Sequence, residues 1–460
     1  MNIREPSSFR DRDAFVYYSD GAVYRWLNMS YKPHYEMFVG SGLYEELLGK
    51  GYLIEHHEVA AGEESRTAHM DGSSCSYKLL KPERLRFISY PYEWCFSQLK
   101  DAALLTLDIQ LLSLVKGMSL KDASAYNVQF KGCRPVFIDS SSFEIYEDGK
   151  PWVAYGQFCR HFLVPLLLMK HKDMRLVHLT KSFIDGIPLD LAVKLLPKRS
   201  LLSPMTFMNI YMHSGYQSPE KVISSKASGS RLEKGRQIQL LEALHSFISK
   251  LQGNSFKSEW SGYANNNSYS EIAGLNKMSI VEEYLRRASP DFIWDIGSNA
   301  GKYGIMASKL GMDVLAVDSD IEAVEKCYLS CESSGNERVL PLCADMVNPS
   351  PGTGWENMER KTLWARGKPD LVMALALLHH LIICEKITMD MAADFFSRLG
   401  RYLIIEFAPV SDKMVSLMLG SKNGEYAEYS IANFEKIFCR YFTIIDSRKI
   451  ADSERSIYIN

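Results

Sequence analysis

Five short apolar runs recur through the last third of this 460-residue chain: FIWDI (292–296), DVLAVD (313–318), RVLPLCA (338–344), DLVMALA (370–376) and YLIIEF (402–407). Helical segments separate several of them. Runs this short and this evenly apolar are strands buried on both faces, and their alternation with helices predicts a parallel sheet covered on both sides. FTIIDSRKI and RSIYIN at the end of the chain predict a closing antiparallel pair. The fold class expected for 291–460 is therefore α/β, a Rossmann-like sheet with helices on both faces.

In such a sheet, ligands sit at the carboxyl ends of the strands, by the switch point. DIGSNAG (295–301) lies there, after the first strand. Gly297 and Gly301 remove side chains where backbone and ligand come close, and the following helix offers free N–H groups. Asn299 suits a left-handed backbone. Asp318 ends the second strand about twenty residues on, where a carboxylate can accept both ribose hydroxyls. Asp345, after the third strand, can take an adenine amino group. Asp320 reads as the cap of the helix beginning IEAVEKC. The turn should hold an adenosine-containing cofactor. A dinucleotide fingerprint wants glycine where Asn299 stands, which disfavours NAD and suits a ligand without phosphates.

The turn, Asp318, Asp345, PDLVMALALLHHL and RLGRYLIIEFAP resemble, in order, the motifs of class I S-adenosylmethionine-dependent methyltransferases. The resemblance implies S-adenosylmethionine as cofactor, with Asp295, Gly297, Ser298, Asn299, Gly301, Asp318, Asp345 and Leu375 around it. His379 and His380 follow the fourth strand on the acceptor side; one is a general-base candidate, since histidine titrates near neutrality, and Glu406 is a second acid/base candidate. Methyl transfer by positioning alone needs no base. Trp260, Tyr263 and Tyr269 are candidates for a substrate lid, and NPSPGTGW (348–355) for a second substrate loop.

The preceding two-thirds reads differently. AFVYY and AVYRWL flank SDG as a hairpin, residues 33–50 and 92–116 have helical spacing, and 152–212 is mostly helical. In LKDASAYNVQFKGCRPVFID, Asp122, Asn127 and Asp139 stand at the spacing of a kinase catalytic loop and its metal-binding acid. The region resembles a trimmed kinase fold, with Asp122 as base and Asn127 and Asp139 as magnesium ligands if the site is active, and Mg-ATP as its ligand. It departs from that pattern: Leu120-Lys121 replaces His-Arg, Asp-Phe-Gly becomes DSSSF, and no glycine loop or β3 lysine can be assigned. The expected organisation is an α+β kinase-like domain over 1–213 (small lobe about 9–90, helical lobe about 91–213), a Ser/Lys/Gly-rich linker over 214–235, a helical or lid segment over 236–290, and the cofactor domain over 291–460.

A formal net charge of -2 gives no electrostatic case for nucleic acid. Nine scattered cysteines without a CxxC pair point to reduced thiols in a cytoplasmic protein, and no apolar stretch is long and uninterrupted enough to span a bilayer. SYPYEWCFSQLKDAALLTL, FIDSSSFE, PWVAYGQF and WDIGSNAGKYG together are similar to a bacterial family of methyltransferases related to the nodulation protein NoeA. That resemblance implies methyl transfer to a small molecule, glycan or secondary metabolite, with the N-terminal domain recruiting or modifying the acceptor. The alternatives are a bifunctional enzyme that also phosphorylates, and a cofactor-binding regulator without turnover.

Overall fold

The computed structural model describes residues 3–59, 76–214, 232–254, 270–420 and 428–460. Trp260, Tyr263, Tyr269 and most of the expected linker lie outside these residues. The chain divides into two compact units. The first comprises Met1–Lys131, Pro135–Asn254 and Gly352–Lys361; the second comprises Gly132–Arg134, Ser255–Pro351 and Thr362–Asn460.

The first unit opens with an antiparallel sheet of β1 (Ile3–Arg4), β2 (Ala14–Ser19), β3 (Ala22–Asn28), β4 (His56–Glu58) and β5 (Ser76–Pro82), in the order β1-β2-β3-β5-β4. Asp20 and Gly21, both at positive φ, make the β2–β3 turn that SDG predicts. The single helix expected over 33–50 is two, Lys32–Gly40 and Leu43–Gly49, because Gly42 at φ +74° breaks the run. Helix Phe96–Val115 buries twelve residues and ends before Gly117 at φ +78°. Two small antiparallel pairs follow. β6 (Met118–Leu120) joins β9 (Phe143–Ile145), and β7 (Val128–Lys131) joins β8 (Arg134–Phe137). Short helical segments run on to Met212.

The stretch 236–290 does not form one segment. Helix Lys234–Ser249 packs on Phe96–Val115 in the first unit, whereas helix Glu271–Ala288 falls in the second. NPSPGTGW is likewise divided: from Gly352 onward it belongs to the first unit. Glu359, 2% exposed, accepts from Arg10 at 2.7 Å, and Lys361 donates to Glu5 at 2.8 Å.

The second unit is a seven-stranded sheet of β10 (Phe292–Ile296), β11 (Asp313–Asp318), β12 (Val339–Cys343), β13 (Leu371–Ala374), β14 (Tyr402–Phe407), β15 (Asp446–Lys449) and β16 (Ser456–Ile459). Its order is β12-β11-β10-β13-β14-β16-β15, with β16 antiparallel to both neighbours and β10–β14 parallel. This is the Rossmann-like parallel sheet with a closing antiparallel pair that the sequence predicts. Every residue of β10, β12 and β13 is buried, which accounts for sequences that are apolar throughout except at Asp295. β10 pairs with β11 on one side and β13 on the other, so the switch point lies at its C-terminal end. Among the described residues no helix is long and apolar enough to cross a membrane.

Candidate functional site

The turn after β10 is built from left-handed residues: Gly297 at φ +73°, Asn299 at +49° and Gly301 at +76°. A Cβ on Gly301 would lie 2.2 Å from Cys327 Sγ, so only glycine fits there. The turn uses its own amides. Gly297 and Ser298 N–H donate to Val317 O (2.9 and 3.1 Å), Asn299 N–H to Asp318 Oδ2 (2.7 Å), Ala300 N–H to Asn299 Oδ1 (2.7 Å) and Gly301 N–H to Ser298 O (2.9 Å). No amide of this turn remains to cradle a phosphate, the role such loops play for dinucleotides.

Acids gather at the same edge. Asp295, 2% exposed, accepts from Gly304 N–H at 3.1 Å and thereby ties β10 to helix Lys302–Lys309. Burial pushes its carboxyl up to about 7, with the Gly304 hydrogen bond opposing. Asp318 accepts from Asn299 N–H and, through Oδ1, from Asp320 N–H at 2.8 Å. Burial pushes its pKa up and those two N–H groups pull it back. Asp345 is exposed beyond β12 and accepts from Val347 N–H at 2.8 Å, keeping one oxygen open. Leu375, 6% exposed, closes the end of β13, and Ser298 is buried in the turn. The carboxylates, the small residues and the spent amides fit a phosphate-free, positively charged adenosine ligand. Asp320 caps helix Ile321–Ser333 by accepting from Glu322 N–H, as its sequence position suggests.

The acceptor-side residues part company. Glu406 is fully buried on β14, with Lys277 Nζ 2.6 Å from Oε2 and Arg455 Nη1 3.0 Å from Oε1. Two cations share this carboxylate, so it serves as an ion-pair hub rather than as a free acid or base. Arg455 also reaches Asp412 with Nε (2.7 Å) and Nη2 (2.9 Å). Burial pulls the Lys277 pKa down, Glu406 opposing, and its ammonium stands 4.9 Å over the Tyr303 ring. Lys277 and Arg455 gave no sequence signal; Lys277 sits 129 residues from Glu406, in a helix with no recognisable motif. His379 is fully buried, His380 partly, their ring centroids 4.4 Å apart.

In the first unit, the three kinase-like positions do converge. Asp122 and Asn127 lie on the loop between β6 and β7, and Asp139 follows β8. Asn127 Nδ2 donates to Ser142 Oγ (3.2 Å), which donates to Asp139 Oδ2 (2.8 Å). Asp122 accepts from Gln157 Nε2 at 2.7 Å. A basic residue that the sequence pattern did not single out, Arg25 on β3, lies here: its guanidinium pairs with Asp139 and donates to Ser141 Oγ at 2.8 Å. Burial alone would raise the Asp139 pKa, but Arg25 and the Ser141 and Ser142 hydrogen bonds outweigh it and hold the carboxyl below its usual range. Burial, with Asp139 nearby, raises Asp122. Among the described residues no three His, Cys, Asp or Glu side chains are grouped to hold a metal ion.

No family model matches the chain. Solved structures resembling part of it include magnesium protoporphyrin IX methyltransferase (ChlM) from Synechocystis PCC 6803 with bound SAH, at 16% identity and a TM-score of 0.31 over 45% of this chain and 88% of that one. Another is the bifunctional kinase-methyltransferase WbdD, at 17% identity and a TM-score of 0.29 over 47% of this chain and 45% of that one. The nodulation protein NoeA of Rhizobium meliloti (strain 1021) is similar end to end, 33% identical over 462 residues, 99% of this chain and 95% of that protein. At that identity over nearly its whole length, the chain belongs to the family of the nodulation protein NoeA.

Proposed function

We propose that the second unit transfers a methyl group from S-adenosylmethionine to a small-molecule or glycan acceptor. The observation that carries this is the turn Gly297–Gly301, whose amides are all engaged by the protein itself, three of them by β11, while Asp295 and Asp318 flank it. A pyrophosphate would find no donors in that turn and two acids as neighbours; a sulfonium would find the acids favourable. When bound, the cofactor supplies an electrophilic methyl group. Asp318 would take the ribose hydroxyls, Asp345 the adenine amino group, and Leu375 would cover the adenine face. Asp295 keeps the turn against the helix. The acceptor would enter over β13 and β14, where the C-terminal strand ends meet His379 and His380. Isothermal titration of the full chain with S-adenosylmethionine, NAD and Mg-ATP tests the reading. S-adenosylmethionine should bind and NAD should not; the reverse order removes the proposal.

A second reading concerns the first unit. The link from Asn127 through Ser142 to Asp139, with Arg25 paired to Asp139 and Asp122 on the same loop as Asn127, supports a kinase-like architecture that recruits or phosphorylates the acceptor. If it binds nucleotide, saturating Mg-ATP raises the melting temperature, and Asp139→Asn reduces the shift. Without a shift, the unit serves as a scaffold.

A further inference from the structure

His379 precedes the His380–Cys384 turn, fully buried, and neither ring nitrogen has a hydrogen-bond partner among the described residues. An unpaired buried polar atom is destabilising, so packing alone gives no reason for a histidine here. Its place is at the cofactor edge. Two residues earlier, Leu377 packs against the glycine turn, and a Cβ on Gly297 would lie 3.3 Å from Leu377 Cδ1.

The charged groups facing His379 are Arg455, Glu406 and Asp412, beside the neighbouring His380. Those three are committed to each other and to Lys277, in a buried set of two cations and two carboxylates. No cation there is left over for an anionic acceptor. Beyond Asp412, a cleft of about 590 Å³ runs between Ser411–Lys413 and Lys449–Glu454. It sets Lys413 and Lys449 against Asp412, Asp452 and Glu454, so it has no positive excess either. Burial keeps the His379 ring uncharged, its pKa pushed down to about 3. A neutral imidazole presents one lone pair and one N–H.

We propose that His379 contacts the methyl acceptor directly, taking a hydrogen bond from an uncharged hydroxyl or amino group, and that the acceptor is an alcohol or amine rather than a carboxylate or phosphate. This rests on the methyl-transfer reading. The hydrogen bond aims the acceptor's lone pair without requiring the ring to become charged, and the closed ion network repels no neutral group.

The test uses the full chain with S-adenosylhomocysteine present. Methyl glucoside and glycerol serve as hydroxyl probes, acetate and inorganic phosphate as anionic probes, and binding is read by saturation-transfer NMR. The wild type should bind the hydroxyl probes, His379→Phe should weaken them about tenfold, and His379→Gln, which restores a side-chain acceptor, should recover part of the loss. Binding of either anion that depends on His379 overturns the proposal. So does hydroxyl binding that His379→Phe leaves unchanged, or its absence from the wild type. Because Phe removes two unpaired polar atoms, its melting temperature should match or exceed the wild type's. A fall of more than about 5 °C in both variants assigns His379 to the core instead and overturns the proposal. Calorimetry with S-adenosylhomocysteine on the same samples separates the failures. If the wild type binds it, a negative result rejects only the acceptor assignment; if not, the methyl-transfer reading falls and takes this proposal with it.

Discussion

Asp318 Oδ2 accepts the Asn299 N–H at 2.7 Å, so the acid that ends β11 holds the turn that follows β10. One side chain thus shapes the turn and, on the methyl-transfer reading, would also offer the ribose an acceptor. Asp318→Ala should reduce S-adenosylhomocysteine affinity tenfold or more, since hydrogen bonds to a charged group contribute about 1.5–3 kcal/mol. Asp318→Asn should do nearly as badly, because an amide nitrogen would face an N–H donor. Calorimetry beside far-ultraviolet circular dichroism checks both; full affinity in a folded Asp318→Ala protein removes the ribose role.

Gly301→Ala should cost stability through two effects. Its φ of +76° is left-handed, and the added Cβ would lie 2.2 Å from Cys327 Sγ. Backbone strain plus the forced shift should amount to about 1–3 kcal/mol or more. Gly311→Ala is the control: its φ is +92°, but nothing lies within 4 Å of the added atom. Urea denaturation should rank Gly301→Ala as the more damaging; equal losses would mean that crowding by Cys327 is irrelevant.

Arg455→Met should be severe. It leaves Glu406 and Asp412 buried without their shared guanidinium, and breaking a buried pair from one side costs about 3–5 kcal/mol. Arg448→Met removes an equally short pair, to Glu283 at 2.6 Å, but on the surface, where solvent screens it. The Arg448 variant should melt close to the wild type. Similar melting temperatures for both variants would contradict the weight given to the buried network.

The pH dependence should carry two opposing signatures. His379 has a folded pKa of about 3, against about 6.5 unfolded. Between those values the unfolded chain holds a proton that the folded chain refuses, so stability present above pH 6.5 is lost on acidification, by up to about 1.4 kcal/mol per pH unit. Asp295, at about 7 when folded, works the other way: the folded chain holds the extra proton, and that contribution is lost as pH rises through 7. Denaturation between pH 7.5 and 5 should show a shallower acid decline in His379→Phe and a steeper one in Asp295→Asn. Parallel profiles for all three proteins would reject both assignments.

The features legible in the sequence were those encoded over short distances. FIWDI, DVLAVD and YLIIEF gave strand bounds that coincide with β10, β11 and β14, because each is a short, mostly buried apolar run set off by more polar sequence. Asn299 and Gly301 signalled left-handed backbone by residue type alone. Arg25 was invisible because its partner Asp139 is 114 residues away and a lone arginine in a strand says nothing of what it faces. Glu406 stood out at the end of its strand, but as an acid/base candidate; Lys277 and Arg455 lie in unremarkable runs, and only tertiary packing joins them to it. Asp412 caps helix Lys413–Leu419, and its oxygens also receive Arg455.

The allocation of Gly352–Lys361 to the first unit has a consequence for how the protein is made. Glu359 pairs with Arg10, Lys361 with Glu5, and the Arg360 guanidinium stands 3.9 Å from the centre of the Tyr126 ring. Chains emerge from the ribosome N-terminus first, and N-terminal domains ordinarily finish folding before later ones are complete. Here that order cannot be followed. The first unit must wait, with Arg10 and Glu5 unsatisfied, until translation has passed through β10, β11 and β12 and reached Lys361. A ribosome that stalls between Asn254 and Gly352 therefore leaves behind a first unit that still lacks Gly352–Lys361 and is unsealed.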